Sequence, residues 1–163
     1  MGSETPLVGR AAELQQLFTA AQQARAGNPS ALLVHGEPGV GKTRLVTEVA
    51  AQLEVDGFRV HWGKCMRFAA ESSSFLPIVQ AFGPDLDLVA TDAGTSALQR
   101  VGTALDAGVK ASPFALIIDD IQWADASSLD VLAYIVAGFR RGQPLLLLGT
   151  YRGSVALSDR AAE

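Results

Sequence analysis

The sequence predicts an α/β fold built on a doubly wound parallel sheet. Short apolar runs alternate along the chain with longer stretches of helical periodicity, the pattern of strand, crossover helix and parallel strand. The apolar runs are nearly continuous, as in strands covered on both faces. A glycine-rich segment, Gly36 to Thr43, lies between the first such run and the next helical stretch. The 163 residues suit one domain with one core.

From Arg10 to Gly27, Leu14, Leu17, Phe18 and Ala21 recur at helical spacing, and Gly27-Asn28-Pro29 ends that helix. Ala31 to His35 predicts a strand buried on both faces. After the glycine-rich loop, Leu45, Val46, Val49, Ala50 and Leu53 mark a second helix, closed by Asp56-Gly57. Phe58 to Gly63 predicts the second strand. Between 64 and 113, helical spacing picks out Phe75 to Phe82 and Ser96 to Val109, interrupted by stretches rich in Gly, Ser and acidic residues. Phe114 to Ile118 predicts a third strand ending in Asp119-Asp120. Ser127 to Arg140 predicts a helix that buries Leu129, Leu132, Ile135, Val136 and Phe139. Arg140-Arg141 stands at its end, where cations suit the helix dipole. Pro144 to Gly149 predicts the fourth strand, ending near Arg152. No internal repeat or low-complexity segment interrupts the pattern.

Composition removes several classes of function. There are 13 Lys and Arg against 17 Asp and Glu, a net charge of -4, which offers no basic footprint for direct nucleic-acid contact. The single cysteine, Cys65, forms no internal disulfide and no zinc cluster, and suits a reducing cytoplasmic setting. No apolar run approaches the roughly 18 residues of a membrane span. Met1 to Pro6 is short and polar, without a signal-peptide core.

Gly36-Glu37-Pro38-Gly39-Val40-Gly41-Lys42-Thr43 matches the pattern G-x-x-x-x-G-K-[ST]. A triphosphate carries several negative charges, and successive backbone N–H groups in a glycine-rich turn form a concave anion site. The following helix N-terminus adds donors and partial positive charge. Gly39 and Gly41 permit the backbone angles and close approach that this needs. Lys42 supplies a mobile charge for the β- and γ-phosphates, and Thr43 offers a hydroxyl to Mg²⁺. A chance glycine-rich turn is the competing reading; the preceding strand and following helix argue against it.

Mg²⁺ prefers oxygen ligands and keeps several waters, so a carboxylate near the loop is expected. Asp119, at the tip of an apolar strand, is the candidate ligand. Asp120 is placed to orient or deprotonate an attacking water. Either could instead cap the next helix, although Asp125 is better placed to do so.

These residues carry a resemblance. The phosphate loop, then Leu116-Ile117-Ile118-Asp119-Asp120-Ile121-Gln122-Trp123-Ala124-Asp125, resemble the STAND ATPases, signal-transducing relatives of the AAA+ proteins. The subgroup it most resembles is the ATPase module of large bacterial LuxR-type transcriptional regulators and related adenylate cyclase-linked and kinase-linked modules. Leu7-Val8-Gly9-Arg10 with Glu13-Leu14 resembles the N-terminal motif of the family. Trp62-Gly63-Lys64-Cys65 resembles its second strand and exit, and Leu147-Leu148-Gly149-Thr150-Tyr151-Arg152 its sensor 1 strand.

The resemblance implies a P-loop NTPase core of AAA-like architecture over residues 31–163, with residues 1–30 packing near the nucleotide. It implies ATP or ADP with Mg²⁺ as cofactors, held by Gly36, Glu37, Pro38, Gly39, Val40, Gly41, Lys42, Thr43 and Arg44. Leu7 and Val8 would lie near adenine, and Arg10 would fix the N-terminal segment near the nucleotide. Asp119 would take the Walker B role, and Arg152 would report on the γ-phosphate. The fourth strand would lie between the phosphate-loop strand and the Asp119 strand. Two departures stand out. AAA+ motors carry Glu where this chain has Asp120, one methylene shorter, which favours slow turnover. The family also continues past sensor 1 with another strand, a helical domain, a winged helix and an output domain. The chain is therefore expected to be a fragment truncated after the sensor 1 strand, with those domains as partners. An unpaired edge on the phosphate-loop strand would favour self-association into a homo-oligomer.

Other polar residues have plainer readings. His35 reads as a packed strand end, Cys65 as a small buried hydrophobe, and Trp123 as packing rather than chemistry. Arg67 could approach phosphate, but its spacing does not demand it. Alternatives to a slow regulatory switch are a turnover AAA-type ATPase in a ring, a small-molecule kinase, and a fragment that binds nothing stably without further domains.

Overall fold

Periodicity becomes architecture in the computed structural model, which describes residues 10–67, 74–83, 86 and 96–153. The first helical stretch forms α1, Ala11–Arg25, and the apolar run after it forms β1, Ser30–Gly36. The loop leads into α2, Lys42–Val55, and then β2, Arg59–Lys64. Two helices follow, α3 at Leu76–Phe82 and α4 at Ala97–Ala111. The remaining elements are β3 at Phe114–Asp119, a single 3₁₀ turn at Ile121–Trp123, α5 at Ala126–Ala137 and β4 at Leu145–Arg152. The four strands are parallel and ordered β1-β4-β3-β2. The fold is thus the expected α/β class, with β4 between the loop strand and the Asp119 strand.

Alternation along β3 shows why both faces are covered. Ala115 and Ile117 join Leu148, Leu45, Val49 and Leu53 beneath α1 and α2. Phe114, Leu116 and Ile118 join Ile78, Val101, Leu105 and Ile135 beneath α3, α4 and α5. Fully burying each of the Leu, Ile, Val and Phe side chains among them stabilises the fold by about 1.5–3 kcal/mol. Helix starts are fixed by side chains as well as by periodicity. Ser96 and Gln99 form a reciprocal capping box at α4. Asp125 caps α5, accepting from the Ser128 N–H at 3.0 Å and from its hydroxyl at 2.6 Å.

Several expectations are corrected. β1 is not buried on both faces: Ala31, Leu33 and His35 are exposed. It is the edge strand of the described sheet, and α1 and α2 cover one side of it. His35 is accordingly an exposed strand end rather than a packed one. α5 ends at Ala137, and Leu129 and Val136 lie on its open face, 44% and 42% exposed. Its sequence is apolar on more than the buried stripe, so periodicity overcounted the core. Arg140-Arg141 therefore lie past the helix end, and Arg140 donates to Asp106 at 3.2 Å. β4 runs beyond Gly149 to Arg152. Cys65 is buried, as expected. Burial, with the nearby charges of Asp125, Asp120 and Asp119, pushes its thiol up to about 12. Among the described residues, no helix is long and apolar enough to cross a membrane.

β2 and α3 meet through a glycine. A Cβ on Gly63 would lie 2.0 Å from the Pro77 carbonyl oxygen, which is backbone and cannot rotate away. Gly63→Ala is therefore expected to destabilise the fold by about 1–3 kcal/mol, read as a lower urea midpoint. An unchanged midpoint would show that the α3 contact is not a constraint.

Candidate functional site

Because β4 lies between β1 and β3, the carboxyl ends of all three strands meet on one edge of the sheet. Ligands of open α/β sheets bind beyond such ends. The loop leaves β1 at Gly36 and enters α2 at Lys42. Gly39 and Gly41 have φ of 82° and 83°, and nothing lies within 4 Å of a Cβ added at either. Glycine is thus required there by the left-handed backbone, not by crowding. Glu37, Pro38 and Val40 are exposed on the loop, and Thr43 and Arg44 are exposed on the first turn of α2.

Lys42 is buried, and its ammonium donates to the carbonyls of Gly36 at 2.6 Å and Glu37 at 2.8 Å. The Thr43 hydroxyl lies 3.2 Å from each Asp119 carboxylate oxygen. Asp119 is 1% exposed, and its Oδ1 also accepts from the Thr150 hydroxyl at 2.5 Å. Lys64, paired with Asp119 in the β2–β3 register, brings its ammonium to 3.9 Å from Oδ2. From the other side of the loop, the Arg10 guanidinium donates to the Val40 carbonyl at 2.5 Å.

Asp120 turns the chain out of β3 with φ 58° and ψ 49°, a conformation that Asp tolerates better than most residues. Its N–H donates to the Thr150 hydroxyl at 2.8 Å. Its carboxylate receives both prongs of Arg152, Nε at 2.9 Å and Nη2 at 3.0 Å. The Gln122 amide nitrogen donates to Asp120 Oδ1 at 3.1 Å, and the Gln122 oxygen accepts the Arg152 N–H at 3.0 Å. Burial pushes the Asp120 carboxyl upward, but the hydrogen bonds from Arg152 and Gln122, with the charges of Arg152 and Lys64, outweigh it. The carboxyl is held below its ordinary value of 3.8. The same pairing raises Arg152.

The fold therefore gathers the phosphate loop, Asp119, Asp120, Arg152 and Arg10. Leu7 and Val8 lie outside the described residues. Arg67 sits 5.0 Å over the ring of Trp123, itself 39% exposed, so Trp123 packs at the surface rather than in the core. Three participants escaped the sequence reading: Thr150, Gln122 and Lys64. A hydroxyl at the end of an otherwise apolar strand was the available signal for Thr150. Gln122 had none, because its role depends on the turn. A separate cleft of about 780 Å³, lined by residues including Gln99, Gly102, Asp106, Tyr134 and Arg140, opens between α4 and α5; residues 36–43, Asp119, Asp120 and Arg152 do not line it.

The donor set suits a hard divalent cation. The Thr43 hydroxyl and the Asp119 carboxylate face one another, and Mg²⁺ takes few protein oxygens when phosphates and waters complete its shell. Among the described residues, no group of three or more His, Cys, Asp or Glu side chains could hold a metal ion.

A glycine-rich loop between a parallel strand and a helix, facing an acidic strand end, defines a P-loop nucleotide-binding fold. Residues 6–148 match the AAA ATPase domain family, and the chain belongs to that family. No curated protein matches it. The fold is similar to that of Cdc6p from Pyrobaculum aerophilum, with a TM-score of 0.65 and 17% identity over 98% of this chain and 43% of that one. It is also similar to the Aeropyrum pernix Orc1 protein, solved in complex with DNA, with a TM-score of 0.59 and 21% identity over 93% of this chain and 40% of that one. The chain thus spans about two fifths of the length of these structures, and at such identities the likeness is one of fold.

Thr150 links both carboxylate residues through one buried hydroxyl. Thr150→Val keeps the shape, but leaves the Asp120 N–H unpaired and removes a donor from Asp119. A loss of about 1–3 kcal/mol is expected in denaturant unfolding, with Thr150→Ser close to wild type. Equal stability of the valine variant would mean that the hydroxyl holds nothing in place.

Proposed function

We propose that the chain is the Mg-ATP-binding module of a regulatory ATPase, a nucleotide-dependent switch with slow hydrolysis. The observation that carries this reading is the meeting of Lys42, Thr43 and Asp119 at the carboxyl ends of β1 and β3, the strands that flank β4, in an AAA-family fold. In this reading the backbone N–H groups of Gly36 to Thr43 cradle the phosphates, and Lys42 exchanges its carbonyl partners for phosphate oxygens. Thr43 and Asp119 hold Mg²⁺, which when bound neutralises charge on the phosphate oxygens. Residues 31–163 form the ATPase core. Residues 1–30 pack beside it, with Leu7 and Val8 near adenine and Arg10 tying that segment to the loop.

Asp120 serves the attacking water and Arg152 senses the γ-phosphate. Asp120 is short for a water-activating carboxylate, and Arg152 and Gln122 engage it, both of which favour turnover slower than about one per second. The STAND-like run from Asp119 to Asp125 supports a place in a larger signalling protein, such as a LuxR-type transcriptional regulator. The net charge of -4 supports assigning any DNA contact in such a protein to another domain.

A ligand that binds the folded state raises its melting temperature by mass action. Mg-ATP at about 100 times its Kd is expected to stabilise the wild type by about 2.7 kcal/mol, and Lys42→Ala to remove most of that gain. An equal rise in both proteins would place the nucleotide elsewhere.

A further inference from the structure

We infer that Asp120 sets the nucleotide preference of this site by holding Arg152, so that a γ-phosphate must displace a carboxylate before it can be read. The inference rests on the Mg-ATP reading and goes beyond it. The β1–β4 register pairs Arg152 with Gly36, the first residue of the loop, and Gly36 also accepts the Lys42 ammonium. The base of the arginine thus stands one strand from the cation of the loop. Its guanidinium nevertheless points the other way, toward the end of β3 and Asp120, with both prongs engaged.

The two partners are unequally fixed. The Asp120 side chain is 7% exposed; its backbone is held by Thr150 and its carboxylate by Gln122. The Arg152 side chain is 47% exposed, on a long stem. Arg152 is therefore the member that moves. A guanidinium fork fits a phosphate as well as a carboxylate, so the two acceptors compete for one donor. ATP brings a terminal phosphate to that competition, and ADP ends one phosphate short. The exchange would also release the Asp120 carboxylate from its strongest partner, leaving Gln122 to aim it. Reading the γ-phosphate and freeing the water-activating group would then be one event.

The test compares affinities for a non-hydrolysable ATP analogue and for ADP, both with Mg²⁺, by calorimetry. The proteins are the wild type, Asp120→Asn, Arg152→Ala and the double variant. Asn tolerates the left-handed backbone at this position; Asp120→Gly, which tolerates it fully, carries the same expectation should Asn not fold. Asp120→Asn is expected to shift the preference toward the ATP analogue by roughly three- to tenfold. In the Arg152→Ala background the same substitution is expected to shift it by less than about twofold. An equal shift in both backgrounds would overturn the exchange, because plain charge repulsion between Asp120 and the γ-phosphate needs no guanidinium. No shift in either background would overturn it too, with nucleotide binding left intact. A wild type that binds neither nucleotide would sink the Mg-ATP reading itself, and this inference with it.

Discussion

Parallel hydrogen bonding of β4 to β1 on one side and to β3 on the other aligns the ends of three strands, and the chemistry of the site depends on that alignment. β1 delivers the phosphate loop, β3 delivers Asp119 and Asp120, and β4 delivers Thr150 and Arg152 between them. Without β4 in the middle, neither the Thr150 bonds nor the two-pronged Arg152 bond could span the gap. The apolar side chains of β4 make this placement stable. Leu146 and Leu148 enter one core and Leu145 and Leu147 the other, so a shift of one residue would exchange its faces.

Thr150 illustrates how little polarity the sheet admits and how fully that polarity is used. Its hydroxyl is completely buried, donates to one carboxylate and accepts from the neighbouring N–H. Buried polar groups are costly unless paired, so such a group restricts the strand end to one arrangement. Gln122 does similar work one turn later, spanning from Asp120 to the backbone of Arg152. Asp120 is thereby fixed at backbone and side chain, and Arg152 remains the adjustable partner.

Much of this was legible in the residues. Uninterrupted apolar runs gave the strands, and the phosphate loop with Asp119-Asp120 gave the two poles of the site, because each is a contiguous motif. Strand order was legible only through family resemblance, since periodicity says nothing about which strands are neighbours. Thr150, Gln122 and Lys64 were missed because each acts through a partner at least two residues away that the fold, rather than the spacing, brings near. β1 misled because a continuous apolar run does not distinguish a central strand from an edge strand with one open face. α5 misled similarly: an apolar helix with Leu129 and Val136 outward has more hydrophobic positions than its neighbours cover.

The central claim is that the loop and the Asp119 carboxylate together hold a magnesium-bound triphosphate. It is tested most directly by a crystal structure of the protein grown with Mg²⁺ and a non-hydrolysable ATP analogue. The account predicts phosphates against the backbone of residues 36–43, the Lys42 ammonium on phosphate oxygens rather than on Gly36 and Glu37, and Mg²⁺ on the Thr43 hydroxyl beside Asp119. A nucleotide bound elsewhere, with Lys42 still folded onto its own loop, would contradict it.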